Sequence, residues 1–129
     1  MEIEEYPIFE GTVVYGTQTG RTLGFPTANI APASDNFPQD GVYVAQIQID
    51  RLFYYGIMSI GNRPTFDAEV RTIEVYLLDF SDDLYQQTLA IKPLFYIRGN
   101  KKFENLDLLK QQLQKDKDFA LKILQSYKE

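Results

Sequence analysis

The chain has 129 residues, a length that suits one compact domain and is short for two. A hydrophobic content of 44%, with nine Tyr and nine Phe, is enough to fill a core and excludes a wholly disordered chain. The sequence contains neither Cys nor His, which excludes disulfide scaffolds, thiolate metal sites and Ser-His-Asp chemistry. In an enzyme of this composition, carboxylates, Lys or Tyr must carry the proton transfers.

The charge balance narrows the choice of partners. Thirteen basic and 18 acidic residues give a net charge of −5, which disfavours a protein that binds a nucleic-acid duplex. No run approaches the roughly 18 apolar residues of a membrane-spanning helix, and the acidic start of the chain does not resemble a signal peptide. We therefore expect a cytoplasmic protein with no nucleic-acid or membrane partner, whose local basic groups could still bind a small anion such as a nucleotide.

Short apolar runs punctuated by Gly, Pro, Asn and Asp predict strands over the first three quarters of the chain. In residues 41–50 there is a period of two, which marks a half-buried strand: Tyr43, Ala45, Ile47 and Ile49 alternate with Val42, Val44, Gln46 and Gln48. Asp50-Arg51 predicts a hairpin with the next run, and Pro93 predicts either an edge position or a bulge. The predicted strands are residues 9–15, 41–50, 52–60, 71–80 and 88–97.

After residue 98 the pattern becomes helical. From Leu106 onward, apolar residues recur at 106, 109, 113, 120 and 124, beside Phe119 and Ile123, and Asn105 is a suitable N-cap. Strands followed by one terminal helix predict a mainly β fold, a small barrel with a helix packed against it. We expect a single domain over residues 1–129, with the barrel at about 8–98 and the helix at about 105–125.

Two longer irregular segments, residues 16–25 and 31–40, interrupt the strand pattern. The first contains Gly16, Gly20 and Gly24, whose backbone can direct N–H groups at a phosphate, and Arg21 would add positive charge. Thr17-Gln18 stand where a Walker A loop requires Lys and a hydroxyl residue, so this is not that motif. Spacing alone leaves open a glycine-bearing loop that only connects two strands.

Several separated motifs, in one order, resemble the riboflavin kinase family over roughly residues 9–124. They are Pro-Thr-Ala-Asn at 26–29, Gly-Val-Tyr at 41–43, a segment at 59–66 that resembles the family's turn after the next strand, the strand at 74–80, and the run from Arg98 to Phe103. The resemblance implies a six-stranded antiparallel Greek-key-like barrel with a C-terminal helix. It also implies ATP-dependent phosphorylation of the 5′-hydroxyl of riboflavin to give FMN, or alternatively a non-catalytic flavin- or nucleotide-binding module on the same barrel.

The resemblance also assigns roles to individual residues. It implies that Thr27 and Asn29 bind Mg²⁺ and the nucleotide, and that the glycines and Arg21 of the first irregular segment bind nucleotide phosphates. Hydroxyl and amide oxygens are suitable ligands for Mg²⁺. From the residues alone, Thr27 would be a turn hydroxyl and Asn29 the side chain of an Asx turn.

Glu74 corresponds to the catalytic base of the family. Alternation along its strand puts Glu74, Tyr76, Leu78 and Phe80 on one face, and apolar neighbours would raise the pKa of this carboxyl. The alternative is a solvated glutamate at the rim of the barrel. The family binds flavin beside the segment that corresponds to residues 98–103, which implies flavin contacts from Arg98 and Phe103. The alternatives are a solvated basic turn for Arg98 and a core residue for Phe103.

The sequence departs from the family pattern at Tyr76, where bacterial members often have His, at Gln86, where Gly is usual, and at Asn100, where Glu is common. Many bacterial members are the C-terminal half of a bifunctional protein whose N-terminal half is an FMN adenylyltransferase. That half uses histidine-containing motifs, which this sequence lacks. Both a stand-alone kinase and a domain of such a fusion stay open.

Overall fold

Six strands and one helix make up a computed structural model that describes residues 6–14, 27–64, 69–78 and 86–128. The strands pair antiparallel in the order β1-β2-β5-β4-β3-β6, and β1 pairs with β6 to close the barrel. This confirms the predicted mainly β barrel with a C-terminal helix. The elements are β1 Phe9–Val14, β2 Ala28–Pro32, β3 Gly41–Ile49, β4 Leu52–Pro64, β5 Glu69–Leu77, β6 Thr88–Arg98 and α1 Leu106–Lys128.

Alternation along the strands separates an apolar interior from an outer face. In β5, Ile73, Val75 and Leu77 are buried inside the barrel, while Glu74 and Tyr76, which alternate with them, are half-buried on the outside. On the outer face, α1 covers part of β3, β4 and β6, so the barrel has a second apolar cluster beneath the helix. The buried members of that cluster are Val42, Val44, Ile57, Leu94, Phe95, Ala120 and Leu124.

The five predicted strands are present; four begin at the predicted residue, and the other boundaries that the structure describes differ by one to four residues. The sixth, β2, lies between the two segments predicted as irregular, and the second of these is strand as far as Pro32. Asn29 and Pro32 are poor strand formers, so β2 depends on its pairing with β1 and β5. The turn implied over residues 59–66 was wrong for its first part, because β4 continues to Pro64. The predicted ends Tyr15 and Phe80 lie outside the described residues.

Two local predictions on β3 and β6 are confirmed. Ile49 pairs with Leu52 across the two-residue connection Asp50-Arg51, which makes the hairpin. Asp50 has a φ of 55°, a conformation that Asp tolerates better than most residues. Pro93 lies at a bulge, because β6 has one extra residue, Leu94, between the partners of Val44 and Ala45. Since β6 pairs on both sides, the alternative of an edge position does not apply.

The helix begins as predicted, because the side-chain Oδ1 of Asn105 accepts a hydrogen bond from the backbone N–H of Leu108 at 2.9 Å. Two residues assigned to its apolar side, Leu106 and Phe119, are instead exposed, at 54% and 38%. The buried face of α1 includes Ala120, Leu124 and the carboxylate of Asp116. No helix among the described residues has the length and hydropathy needed to cross a membrane.

The backbone conformation of Gln86 explains why glycine would suit this position. Its φ of 69° lies in the left-handed region, and its N–H donates to the carbonyl of Val13 at 2.8 Å. This conformation costs a residue with a side chain about 1–2 kcal/mol, whereas glycine loses about 0.4–1 kcal/mol more chain entropy on folding. We expect Gln86→Gly to raise the free energy of unfolding by up to about 1 kcal/mol, measured by urea denaturation.

The neighbouring Gln87 provides the matched control. It is also exposed, and it is not among the described residues with positive φ. Gln87→Gly should therefore lower the free energy of unfolding through chain entropy alone. Equal effects of the two substitutions would contradict the explanation.

Candidate active site

The candidate site centres on Glu74 on the outer face of β5. Glu74 pairs with Asn29 of β2 on one side and with Ser59 of β4 on the other. All three side chains are half-buried, and each alternates with inward-facing neighbours. Side chains directly opposite each other on adjacent antiparallel strands have their Cβ atoms about 4.5–5.5 Å apart. The barrel therefore puts a carboxylate between an amide and a hydroxyl.

Thr27 and Asn29 add two buried oxygen atoms at the start of β2. Thr27 Oγ1 has almost no contact with solvent and no hydrogen-bond partner among the described residues. The Oδ1 atom of Asn29 is equally removed from solvent. Leaving a buried hydroxyl without a partner costs about 1–3 kcal/mol, so a ligand that uses this oxygen would recover that loss. The donor set of one hydroxyl and one amide oxygen fits Mg²⁺, which prefers oxygen ligands together with waters and phosphate oxygens.

The same row of paired residues continues across the barrel to Arg98. Ser59 pairs with Val42 of β3, and Val42 pairs with Arg98 at the end of β6. Glu74 and Arg98 are thus three strands apart, about 14–15 Å measured along the curved sheet. The guanidinium of Arg98 binds Asp116 of α1, with Nε 3.0 Å from Oδ1 and Nη2 2.8 Å from Oδ2.

The segment that follows Arg98 contains the other residue predicted to contact flavin. Phe103 is half-buried, and the ammonium group of Lys101 lies 5.8 Å from the centre of its ring. Asn100 Nδ2 donates to the carbonyl of Ile60 at 2.8 Å. An ionised glutamate at position 100 could not donate this hydrogen bond, so the departure from the family pattern has a structural consequence.

The structure brings together only part of the predicted site. Glu74 and Asn29 lie on neighbouring strands and Thr27 immediately precedes β2, whereas Arg98 is three strands from Glu74 and Phe103 follows it in the segment between β6 and α1. Gly16, Gly20, Arg21 and Gly24 lie outside the described residues. Sequence reasoning gave no site role to Ser59 or Asp116. For Asp116 a signal was present, since it falls three residues after Leu113 and four before Ala120 on the apolar side of the helix.

Comparison with known proteins identifies the family of this chain. The family model for riboflavin kinase, also called flavokinase, matches residues 4–124. The chain belongs to the riboflavin kinase family.

Individual relatives agree with the family. The chain is 40% identical over 110 residues to an RNA-binding riboflavin kinase of Bacillus subtilis, a match that covers 84% of this chain and 47% of the relative. It is 38% identical over 116 residues to a bifunctional riboflavin kinase/FMN adenylyltransferase of Haemophilus influenzae, covering 89% of this chain and 37% of the relative. The chain thus spans less than half the length of these relatives.

A solved structure shares the fold. A macrolide-efflux protein from Streptococcus pneumoniae superposes with a TM-score of 0.82 at 38% sequence identity. The match covers 88% of this chain and 38% of that protein. At this identity the similarity extends beyond backbone topology to a substantial share of the side chains.

Proposed function

We propose that this chain is an ATP-dependent riboflavin kinase, which transfers the γ-phosphoryl group of ATP to the 5′-hydroxyl of riboflavin to give FMN and ADP. The observation that carries the proposal is the pairing of Glu74 with Asn29, next to the buried hydroxyl of Thr27. A base for an alcohol and ligands for a metal–nucleotide complex thereby lie on adjacent strands. Because the chain matches the riboflavin kinase family over residues 4–124, we propose riboflavin as the alcohol.

Glu74 is proposed as the base. Its carboxylate orients the 5′-hydroxyl and accepts its proton as the hydroxyl oxygen forms a bond to the γ-phosphorus. The bond from that phosphorus to the bridging oxygen breaks on the opposite side, and ADP leaves with the electron pair. The half-buried position of Glu74 limits the access of competing water to its carboxylate. Fixed geometry of this kind accounts for much of the catalysis of phosphoryl transfer.

Thr27 and Asn29 are proposed to hold Mg²⁺ together with the nucleotide. When bound, Mg²⁺ neutralises charge that develops on the phosphates. The chain's own contribution is a pair of neutral oxygens already removed from water. For the remaining contacts, the proposal assigns nucleotide phosphates to Gly16, Gly20, Arg21 and Gly24 and the flavin ring to Phe103. The names of the bifunctional relatives pair this activity with FMN adenylyltransferase, and a fusion of that kind in the parent protein is part of the proposal.

Product analysis tests the proposed activity. The purified chain is incubated with riboflavin, ATP and Mg²⁺, and the flavins are separated by chromatography, with each component omitted in turn. FMN should form only when all three are present. Absence of FMN, together with riboflavin binding seen as fluorescence quenching, would contradict the kinase and favour a binding module.

Replacing Thr27 tests the metal site. We expect Thr27→Val to raise the Mg²⁺ concentration that gives half-maximal activity about 10-fold or more, since an interaction of this hydroxyl with a charged group contributes about 1.5–3 kcal/mol. The free energy of unfolding without ligands should stay the same or rise, because the substitution removes a buried hydroxyl that has no partner among the described residues. Magnesium titration of FMN formation and urea denaturation measure the two effects.

Thr12 of β1 supplies the control for that substitution. It is a half-buried threonine on a strand that does not pair with β5. Thr12→Val should leave the magnesium dependence unchanged. An unchanged dependence in Thr27→Val as well would remove Thr27 from the metal site.

A further inference from the structure

Three hydrogen-bonded contacts fix the seven residues from Gly99 to Asn105, which join β6 to α1 and are called the connector below. At its start, Arg98 binds Asp116. Along its length, Asn100 binds Ile60 of β4. At its end, Asn105 caps the helix through Leu108. For a segment without regular secondary structure, this is a dense set of contacts.

The first contact is an ion pair between the half-buried Arg98, which uses its whole guanidinium group, and a buried carboxylate. Nε and Nη2 of Arg98 bind the two carboxylate oxygens of Asp116, and Nη1 donates to the carbonyl of Gly99 at 3.0 Å. Asp116 is only 2% exposed, and Gln112 also donates to its Oδ1. Because each guanidinium nitrogen donates a hydrogen bond, Arg98 holds α1 and the first residue of the connector in one arrangement.

The second contact brings the connector next to the candidate base. Ile60, which accepts the hydrogen bond from Asn100, directly follows Ser59, the partner of Glu74. The amide of Asn100 lies against Gly61, where a Cβ atom would come within 3.2 Å of Nδ2, so glycine permits this contact. Through the side chain of Asn100, the connector therefore contacts β4 at Ile60 and Gly61, one strand away from Glu74. The backbones of Ile60 and Glu74 are roughly 6 Å apart.

We propose that Arg98 and Asp116 are positioning residues, whose ion pair holds the connector as one wall of the cleft that binds the alcohol substrate at Glu74. This inference rests on the proposed function, because that function supplies the alcohol. Arg98 acts through Asp116 and the connector and does not itself contact the flavin. A substrate whose hydroxyl reaches Glu74 must lie over β5, and the connector bounds that space on the side of β4.

Kinetics of conservative variants test the proposal. Arg98→Lys keeps the charge and loses the two-point contact, and Asp116→Asn keeps the shape and loses the charge. We expect each to raise the KM and the dissociation constant for riboflavin about 10-fold, with the KM for ATP changed less than about 2-fold. The double variant should be no worse than either single variant, because both remove the same contact. Asn100→Asp, which removes the donor to Ile60, should also weaken riboflavin binding.

Asp118 is the matched control for Asp116. It is an exposed carboxylate on the same helix that accepts from Gln114 at 3.0 Å, just as Asp116 accepts from Gln112. Asp118→Asn should leave both KM values unchanged. Circular dichroism confirms that each variant is folded at the assay temperature.

Three results would overturn the proposal. If Arg98→Lys weakens riboflavin binding while Asp116→Asn does not, Arg98 contacts the flavin directly. If the two effects add in the double variant, the residues act separately. If riboflavin and ATP affinities fall together, the ion pair only stabilises the fold. Riboflavin affinity is measured by fluorescence quenching without turnover, so a chain that bound riboflavin but formed no FMN would contradict the proposed function and still test the positioning role.

Discussion

Replacing Glu74 with glutamine should lower kcat for FMN formation about 10²- to 10⁴-fold, the usual contribution of a positioned general base. Glutamine keeps the size and the hydrogen-bonding oxygen of the side chain but cannot accept the proton of the 5′-hydroxyl. Because the amide still fits between Asn29 and Ser59, riboflavin and ATP should bind almost as before. Steady-state kinetics give kcat, and fluorescence quenching gives the affinity for riboflavin.

Glu10 of β1 controls for the loss of a carboxylate from the barrel surface. It is also a strand glutamate, but it is exposed and pairs with Ala90 of β6, away from the candidate site. Glu10→Gln should leave kcat within about 2-fold of the original. A kcat near the original value in Glu74→Gln would exclude Glu74 as the base, whatever the control shows.

The second large effect concerns stability. Asp116→Ala should lower the free energy of unfolding by about 2–4 kcal/mol, because removing one partner of a buried ion pair leaves the other charge without compensation. The side chain of Arg98 is 21% exposed, so water can partly solvate its charge. The loss of stability should therefore not reach the upper end of that range. Urea denaturation of the two proteins measures the difference.

Two further variants locate the cause of that loss. Asp118→Ala, at an exposed position on the same helix, should cost about 0.5 kcal/mol or less. Replacing both members of the pair with apolar residues, as in Arg98→Met with Asp116→Leu, should restore most of the stability lost in Asp116→Ala. Equal losses at positions 116 and 118 would show that the ion pair contributes nothing beyond a surface contact.

The orientation of Glu74 could be predicted from the sequence, whereas its neighbours could not be derived from the residues alone. Successive side chains of a strand point to opposite faces of the sheet, whatever the partner strands are. The sequence of β5 alone therefore predicts that Glu74 points away from the face on which Ile73 and Val75 lie. Pairing with Asn29 depends on register between segments 45 residues apart (74 − 29 = 45). That register required β2, a five-residue strand containing Asn29 and Pro32 that shows no strand pattern of its own.

The helix shows the same division between local and long-range information. Asn105 was predicted as the cap, because capping depends only on the first turn. The assignment of Leu106 and Phe119 to the buried side was wrong, since the part of α1 that is covered depends on where the helix crosses the barrel. Asp116 stands on the apolar side at helical spacing, but its partner Arg98 lies 18 residues earlier, and only the fold brings them together.

Transfer of label from ATP is the most direct test of the central claim. The purified chain is incubated with riboflavin, Mg²⁺ and ATP labelled in the γ-phosphate, in parallel with the Glu74→Gln variant prepared in the same way. Label should appear in FMN with the original chain and be reduced at least about 100-fold with the variant. If riboflavin binds but stays unlabelled, or if both proteins transfer label equally, the assignment of this site to phosphorylation of riboflavin is wrong.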